Sequence, residues 1–145
     1  MILKENEFLI LALQETRIYH KIKIFEKYKF FNYNRKKNEK SNIVGFLINK
    51  NLIQKKKIIK KPSLYKKIDY IMKMKIILDN IELEIYNIYL NPSKNNFNEK
   101  IKDLKIIKNI MKKSIEKNKN IIILGDLNID LFRKNKSLHK KNINI

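Results

Sequence analysis

The sequence has no cysteine and no tryptophan, only two glycines and two prolines, and a single alanine, Ala12. Without cysteine there can be no disulfide, thiolate metal site or cysteine nucleophile. Long apolar runs are also missing. The longest unbroken one, residues 8–13 (FLILAL), falls far short of the roughly 20 residues a membrane span needs. Lys4, Glu5 and Glu7 interrupt the first residues, so no signal peptide is expected. These absences point to a soluble, intracellular protein with no membrane partner. Arginine is nearly absent too: of 34 basic residues only Arg17, Arg35 and Arg133 are arginine.

What is present fits one globular domain. The chain has 145 residues, 43% of them hydrophobic, enough to bury a core. Its formal charge of +20 invites a nucleic-acid partner, because cationic surfaces release counterions from phosphates. The lysine bias points elsewhere as well. Abundant Lys, Asn and Ile, with little Ala, Gly and Arg, is what an A/T-rich coding sequence yields, whereas phosphate recognition favours arginine's planar fork. Charge alone does not choose between these readings.

No repeat and no Gly/Ser/Pro-rich linker divides the chain. Residues 8–13 and 43–48 (IVGFLI) read as buried strands, and Gly45 within the second suggests a bulge or a close backbone approach. Residues 19–33 suggest weak edge strands. The lysine-rich stretch 54–61 is expected to stop at Pro62. The clearest alternation follows: Ile68, Tyr70, Met72, Met74, Ile76 and Leu78 share one parity, opposite Lys67, Asp69, Lys73 and Lys75. Asp79-Asn80 suits a two-residue turn, after which Ile81, Leu83, Ile85, Asn87 and Tyr89 share a face opposite Glu82 and Glu84. Asn96 and Glu99 form a capping box. Ile101, Leu104, Ile107, Met111 and Ile115 then recur at helical spacing to about residue 117. Residues 121–124 (IIIL) make a last buried strand. The expected fold class is α/β, with one mixed, largely antiparallel sheet of these five strands and the helix on one face. Residues 1–133 form the domain, and 134–145 are expected to be a disordered basic tail.

Two carboxylates follow buried strands closely, Glu15 after 8–13 and Asp126 after 121–124. Such acids are common as turn residues or helix caps. Functional groups also gather at strand ends, and two carboxylates there suit Mg²⁺, which leaves the rest of its shell to water and phosphate. Asn128 adds an amide donor two residues from Asp126.

The words around them carry a resemblance. Leu13-Gln14-Glu15-Thr16, then Asn87-Ile88-Tyr89-Leu90-Asn91-Pro92, then Ile123-Leu124-Gly125-Asp126-Leu127-Asn128 resemble, in order, three segments of the endonuclease/exonuclease/phosphatase superfamily. Leu127 stands where Phe is usual, and residues 45–48 look like the strand following the family's first segment. The flavour is that of the retrotransposon-type, apurinic-endonuclease-like branch. The resemblance implies half of a four-layer α/β sandwich and Mg²⁺- or Mn²⁺-dependent phosphodiester hydrolysis, with DNA as substrate. It implies Glu15 as metal ligand, Tyr89 near the scissile phosphate, Asp126 orienting or deprotonating the attacking water, and Asn128 on a phosphate oxygen. Phosphoinositide or sphingomyelin hydrolysis is the alternative within the superfamily. A charge-driven, non-catalytic nucleic-acid-binding remnant is the alternative outside it.

The chain departs from the family pattern in two places. A strand bearing an active-site asparagine should precede the first segment, and Asn6 is no credible substitute. The closing Asp-His pair should follow the third, yet His20 and His139, the only histidines, do not follow an aspartate. The expectation is an N-terminal half, weakly active or inactive, whose remaining sheet exposes an apolar inner face.

Overall fold

The computed structural model describes residues 8–15, 26–34, 42–55, 57–90 and 97–128. The elements in chain order are β1 (Ile10–Gln14), β2 (Tyr28–Asn34), β3 (Asn42–Asn49), α1 (Lys50–Gln54), β4 (Ile58–Tyr65), β5 (Ile68–Leu78), β6 (Ile81–Tyr89), α2 (Phe97–Glu116) and β7 (Asn120–Asp126). The strands β4-β5-β6-β7 form a four-stranded sheet, antiparallel except for the parallel β6–β7 pair. This is the mixed, largely antiparallel sheet with a helix on one face that the sequence predicts. Two strands expected in it lie elsewhere. β1 and β3 join β2 in a separate antiparallel sheet, ordered β1-β3-β2.

The second sheet covers the inner face that was expected to lie bare. Val44, Phe46 and Ile48 of β3 interdigitate with Met72, Met74 and Ile76 of β5 and Ile85 of β6, forming one core between the sheets. A second core lies on the other face, where Ile71, Tyr86, Ile88 and Leu90 meet Ile107 and Ile110 of α2. Each such fully buried side chain contributes about 1.5–3 kcal/mol, so the central sheet is held from both sides.

Alternation places most of these side chains, and its failures are local. From Met72 to Leu78 the even residues of β5 face the second sheet, as their parity requires. Ile68 and Tyr70 instead pack with Ile71 on the helix side, where the β4–β5 register shifts between Leu64 and Tyr65. Asp79 and Asn80 both have positive φ (47° and 65°), the geometry of a tight hairpin turn. Pro62 does not end the preceding segment: β4 runs through it as an edge strand, where a missing N–H is tolerated, with register shifts on its flanks.

The long helix is rotated from the expected face. Its buried positions are Asp103, Ile107, Ile110 and Ser114, whereas Leu104, Met111 and Ile115 are exposed, Ile115 at 72%. On this face the Tyr70 hydroxyl also donates to buried Asp103 at 2.5 Å. Asn96, the expected cap, lies outside the described residues, and Glu99 falls in the first turn of α2.

At the start of β6, Glu84 is buried and answered on three sides. Lys73 Nζ approaches at 2.8 Å, Lys119 Nζ at 2.7 Å and the Tyr86 hydroxyl at 3.0 Å. Burial pushes its carboxyl up, but hydrogen bonds from Lys119 and Lys73, the Lys73 charge and the Tyr86 hydroxyl outweigh this and hold it at about 2. Among the described residues, no helix is long and apolar enough to cross a membrane.

Candidate active site

At the opposite end of β6 the chain brings the four candidate residues together. β7 reaches this end only because Gly125 is a glycine. Its φ is +130°, and a Cβ there would stand 1.8 Å from the Ile88 carbonyl oxygen, well inside van der Waals contact. β7 therefore lies tight along β6, with Asp126 in register beside Tyr89. The Leu90 N–H donates to the Asp126 carbonyl at 2.9 Å, closing the pair.

The loop after β7 is organised by its own polar side chains. The Asn128 N–H donates to Asp126 Oδ1 at 2.8 Å, the local hydrogen bond of an Asx turn. Asn128 has φ of 48°, which asparagine tolerates. Its Nδ2 donates to the Leu90 carbonyl at 2.7 Å. From α2, the Lys100 ammonium reaches the Asn128 carbonyl at 3.4 Å, setting a cation on the rim.

Glu15 arrives from the other sheet. It follows β1 directly, is exposed, and has φ of 49°, a conformation that is uncommon for a residue with a long side chain. Its Oε1 accepts a short hydrogen bond from the Tyr89 hydroxyl. Tyr89 is thus the hub, bonded to Glu15 and paired along the backbone with Asp126. Burial first, then the hydrogen bond to Glu15 and the charges of Glu15 and Asp126, push the phenol up to about 12, against an opposing hydrogen bond from Asn128. At neutral pH it remains a protonated donor.

Behind the rim lies a residue that strand alternation placed on the correct face and that the motif words gave no part. Asn87 is fully buried and uses its whole carboxamide across the sheet interface. Nδ2 donates to the carbonyls of Leu13 at 3.0 Å and Gly45 at 2.8 Å, while Oδ1 accepts from Gln14 Nε2 at 2.7 Å. The signal for it was available, since an asparagine in a row of core-facing apolar residues must find partners inside. Gln14 was legible only as part of the motif. Lys100 gave no signal, being one lysine among many on its helix. Gly45 makes the close approach its position suggested: a Cβ there would meet the Phe30 ring at 2.9 Å.

The donors suit a hard cation. Glu15 and Asp126 offer carboxylate oxygens, and Mg²⁺ takes one or two of these, completing its shell with water and phosphate. Among the described residues no group of three or more His, Cys, Asp or Glu side chains could hold a metal.

No protein-family model matches the chain, and no curated protein sequence is similar to it. Solved structures are similar in fold. TDP2 from Caenorhabditis elegans superposes with a TM-score of 0.61 at 16% identity, over 89% of this chain and 40% of that one. D. rerio TDP2 complexed with a single-strand DNA product gives 0.57 at 16%, over 84% and 48%. The endonuclease domain of TRAS1, a telomere-specific non-LTR retrotransposon, gives 0.53 at 16%, over 85% and 49%. All three belong to the endonuclease/exonuclease/phosphatase superfamily, and this chain has their fold. It spans less than half the length of each.

Proposed function

We propose that this chain carries part of a divalent-metal-dependent phosphodiester hydrolase of the endonuclease kind, acting on DNA. The observation that supports this most is the meeting of Glu15, Tyr89, Asp126 and Asn128, separated by up to 113 positions in Glu15 and Asn128, at adjoining strand ends. A bound Mg²⁺ or Mn²⁺ would supply charge compensation to the phosphate oxygens, and Glu15 would hold it. Tyr89 keeps its proton at neutral pH and donates to Glu15, and then to a phosphate oxygen as substrate enters. The Asp126 carboxylate accepts a hydrogen bond from the attacking water and orients it. Asn128 exchanges its bond with Leu90 for one to phosphate. The fold shared with a DNA-bound TDP2 and a retrotransposon endonuclease domain supports nucleic acid as the substrate class. The chain spans less than half of those structures, so turnover by it alone is expected to be weak or absent.

The +20 charge favours a second reading, non-catalytic binding through phosphates. Plasmid nicking with Mg²⁺ separates the two when wild type and Glu15→Ala are run side by side, together with DNA binding across a salt series. Metal-dependent nicking lost in Glu15→Ala supports the hydrolase. Equal nicking by both proteins removes Glu15 as the ligand. Binding that needs no metal, survives Asp126→Asn and weakens steeply with salt, without nicking, favours the second reading.

A further inference from the structure

The candidate site draws its residues from two sheets, yet among the described residues no backbone ladder joins them. Glu15 hangs from the end of β1, and Tyr89 and Asp126 stand on β6 and β7. Apolar burial sets the spacing between sheets, but its driving force is non-directional and does not by itself fix the orientation of one polar side chain at the rim. A site needs tighter placement than that, within about half an ångström.

One side chain supplies direction at this point. Asn87 lies two residues before Tyr89 on the same face of β6, is fully buried, and among the described residues all three of its side-chain hydrogen bonds reach the other sheet. Leu13 and Gly45, whose carbonyls it holds, are register partners in the β1–β3 pair. It therefore grips both strands at one rung. Its remaining group, Oδ1, takes the side chain of Gln14, the residue directly before Glu15. Two donors and one acceptor are all engaged at 2.7 to 3.0 Å, so the carboxamide has one satisfied orientation. The next inward-facing residue along β6 is Tyr89, whose hydroxyl meets Glu15.

We infer that Asn87 is the positioning residue of this site. Its carboxamide pins the end of β1 to β6 and so sets where the Glu15 carboxylate stands beside Tyr89. Gln14 is its accessory, fixing the backbone one residue before the carboxylate. The inference rests on the reading of Glu15 as a cation ligand only for its consequence, that loosening the pin weakens cation binding. Groups that orient a metal ligand typically account for about 10- to 100-fold in metal affinity.

Two measurements on the full chain test it. The first is amide hydrogen exchange at residues 13–15 and 89–90, which involves neither metal nor turnover. The second is Mn²⁺ affinity, followed by the free-ion resonance signal, with Glu15→Gln as reference. Asn87→Leu keeps shape and removes all three bonds. Gln14→Met cuts only one and leaves the buried carbonyls satisfied, so it serves if Asn87→Leu does not fold. In folded variants, exchange at 13–15 should rise at least tenfold while the centres of β3 and β5 stay protected. Mn²⁺ affinity should fall about 10- to 100-fold for Asn87→Leu and less for Gln14→Met. Unchanged exchange at 13–15 overturns the inference, as does Glu15-dependent Mn²⁺ binding that is unaltered in a folded Asn87→Leu. Should Glu15→Gln bind Mn²⁺ like wild type, the cation reading fails by itself, and the exchange result alone decides whether Asn87 positions Glu15.

Discussion

Replacing Glu84 with glutamine tests the charged cluster at the end of the sheet remote from the candidate site. The side chain keeps its shape and loses its charge, leaving the Lys73 and Lys119 ammonium groups, 2.8 and 2.7 Å from its oxygens, without that counter-charge. The Glu84 carboxyl titrates near 2 in the folded protein against an ordinary 4.5. Each tenfold change in proton affinity is worth about 1.4 kcal/mol, so the difference corresponds to about 3 kcal/mol. Its side chain is only 7% exposed, but Lys119 is 40% exposed and partly screened by solvent, so about 2–3 kcal/mol is the expected figure. Because the folded value is depressed, the unfolded chain takes up the proton first as pH falls. The stabilisation is full above about 4.5 and drains away as pH drops through about 2. Urea unfolding of wild type and Glu84→Gln, from neutral pH down to about 2, reads this directly. Wild type should be about 2–3 kcal/mol more stable at neutral pH, and the gap should close across that acid window. Other carboxylates titrate equally in both proteins and cancel in the difference. Curves that stay parallel throughout would refute the reasoning, since the gap would then reflect packing rather than charge.

Gly125→Ala should cost several kcal/mol, about 3 or more, because its Cβ would meet the Ile88 carbonyl at 1.8 Å. A large drop in melting temperature checks this, and a near-wild-type melt would show that β7 does not lie where described. Tyr89→Phe should remove one tyrosine that ionises near 12, seen as the difference between the two proteins' alkaline absorbance titrations. As the folded value is raised, the stabilisation from this hydroxyl is complete below pH 10 and disappears as pH rises towards 12, so Tyr89→Phe should lack that alkaline loss. Asp103→Leu should remove the acceptor of the Tyr70 hydroxyl and destabilise by about 1–3 kcal/mol. An unchanged urea midpoint would mean that this bond does not hold the helix.

Much of this protein was legible in its sequence because the physics involved is local. Period-two alternation marks β5 and β6, Asp79-Asn80 announces a turn needing two positive φ angles, and helical spacing places α2 within a residue of its observed end. The motif words named Glu15, Tyr89, Asp126 and Asn128, which the chain brings to one rim. Tertiary structure decided the rest, because those outcomes depend on what lies opposite. A buried apolar strand reads the same in either sheet, so sequence could not show that β1 and β3 leave the central sheet to cover it. Helical spacing pointed to a stripe running through Leu104, Met111 and Ile115, but the face bearing Ile107 and Ile110 packs on the sheet, where Asp103 also meets Tyr70 across 33 residues. Asn87 likewise looked like one polar letter in an apolar row. Its three hydrogen bonds exist only because the second sheet closes over it and brings carbonyls from residues 42 and 74 positions away within reach.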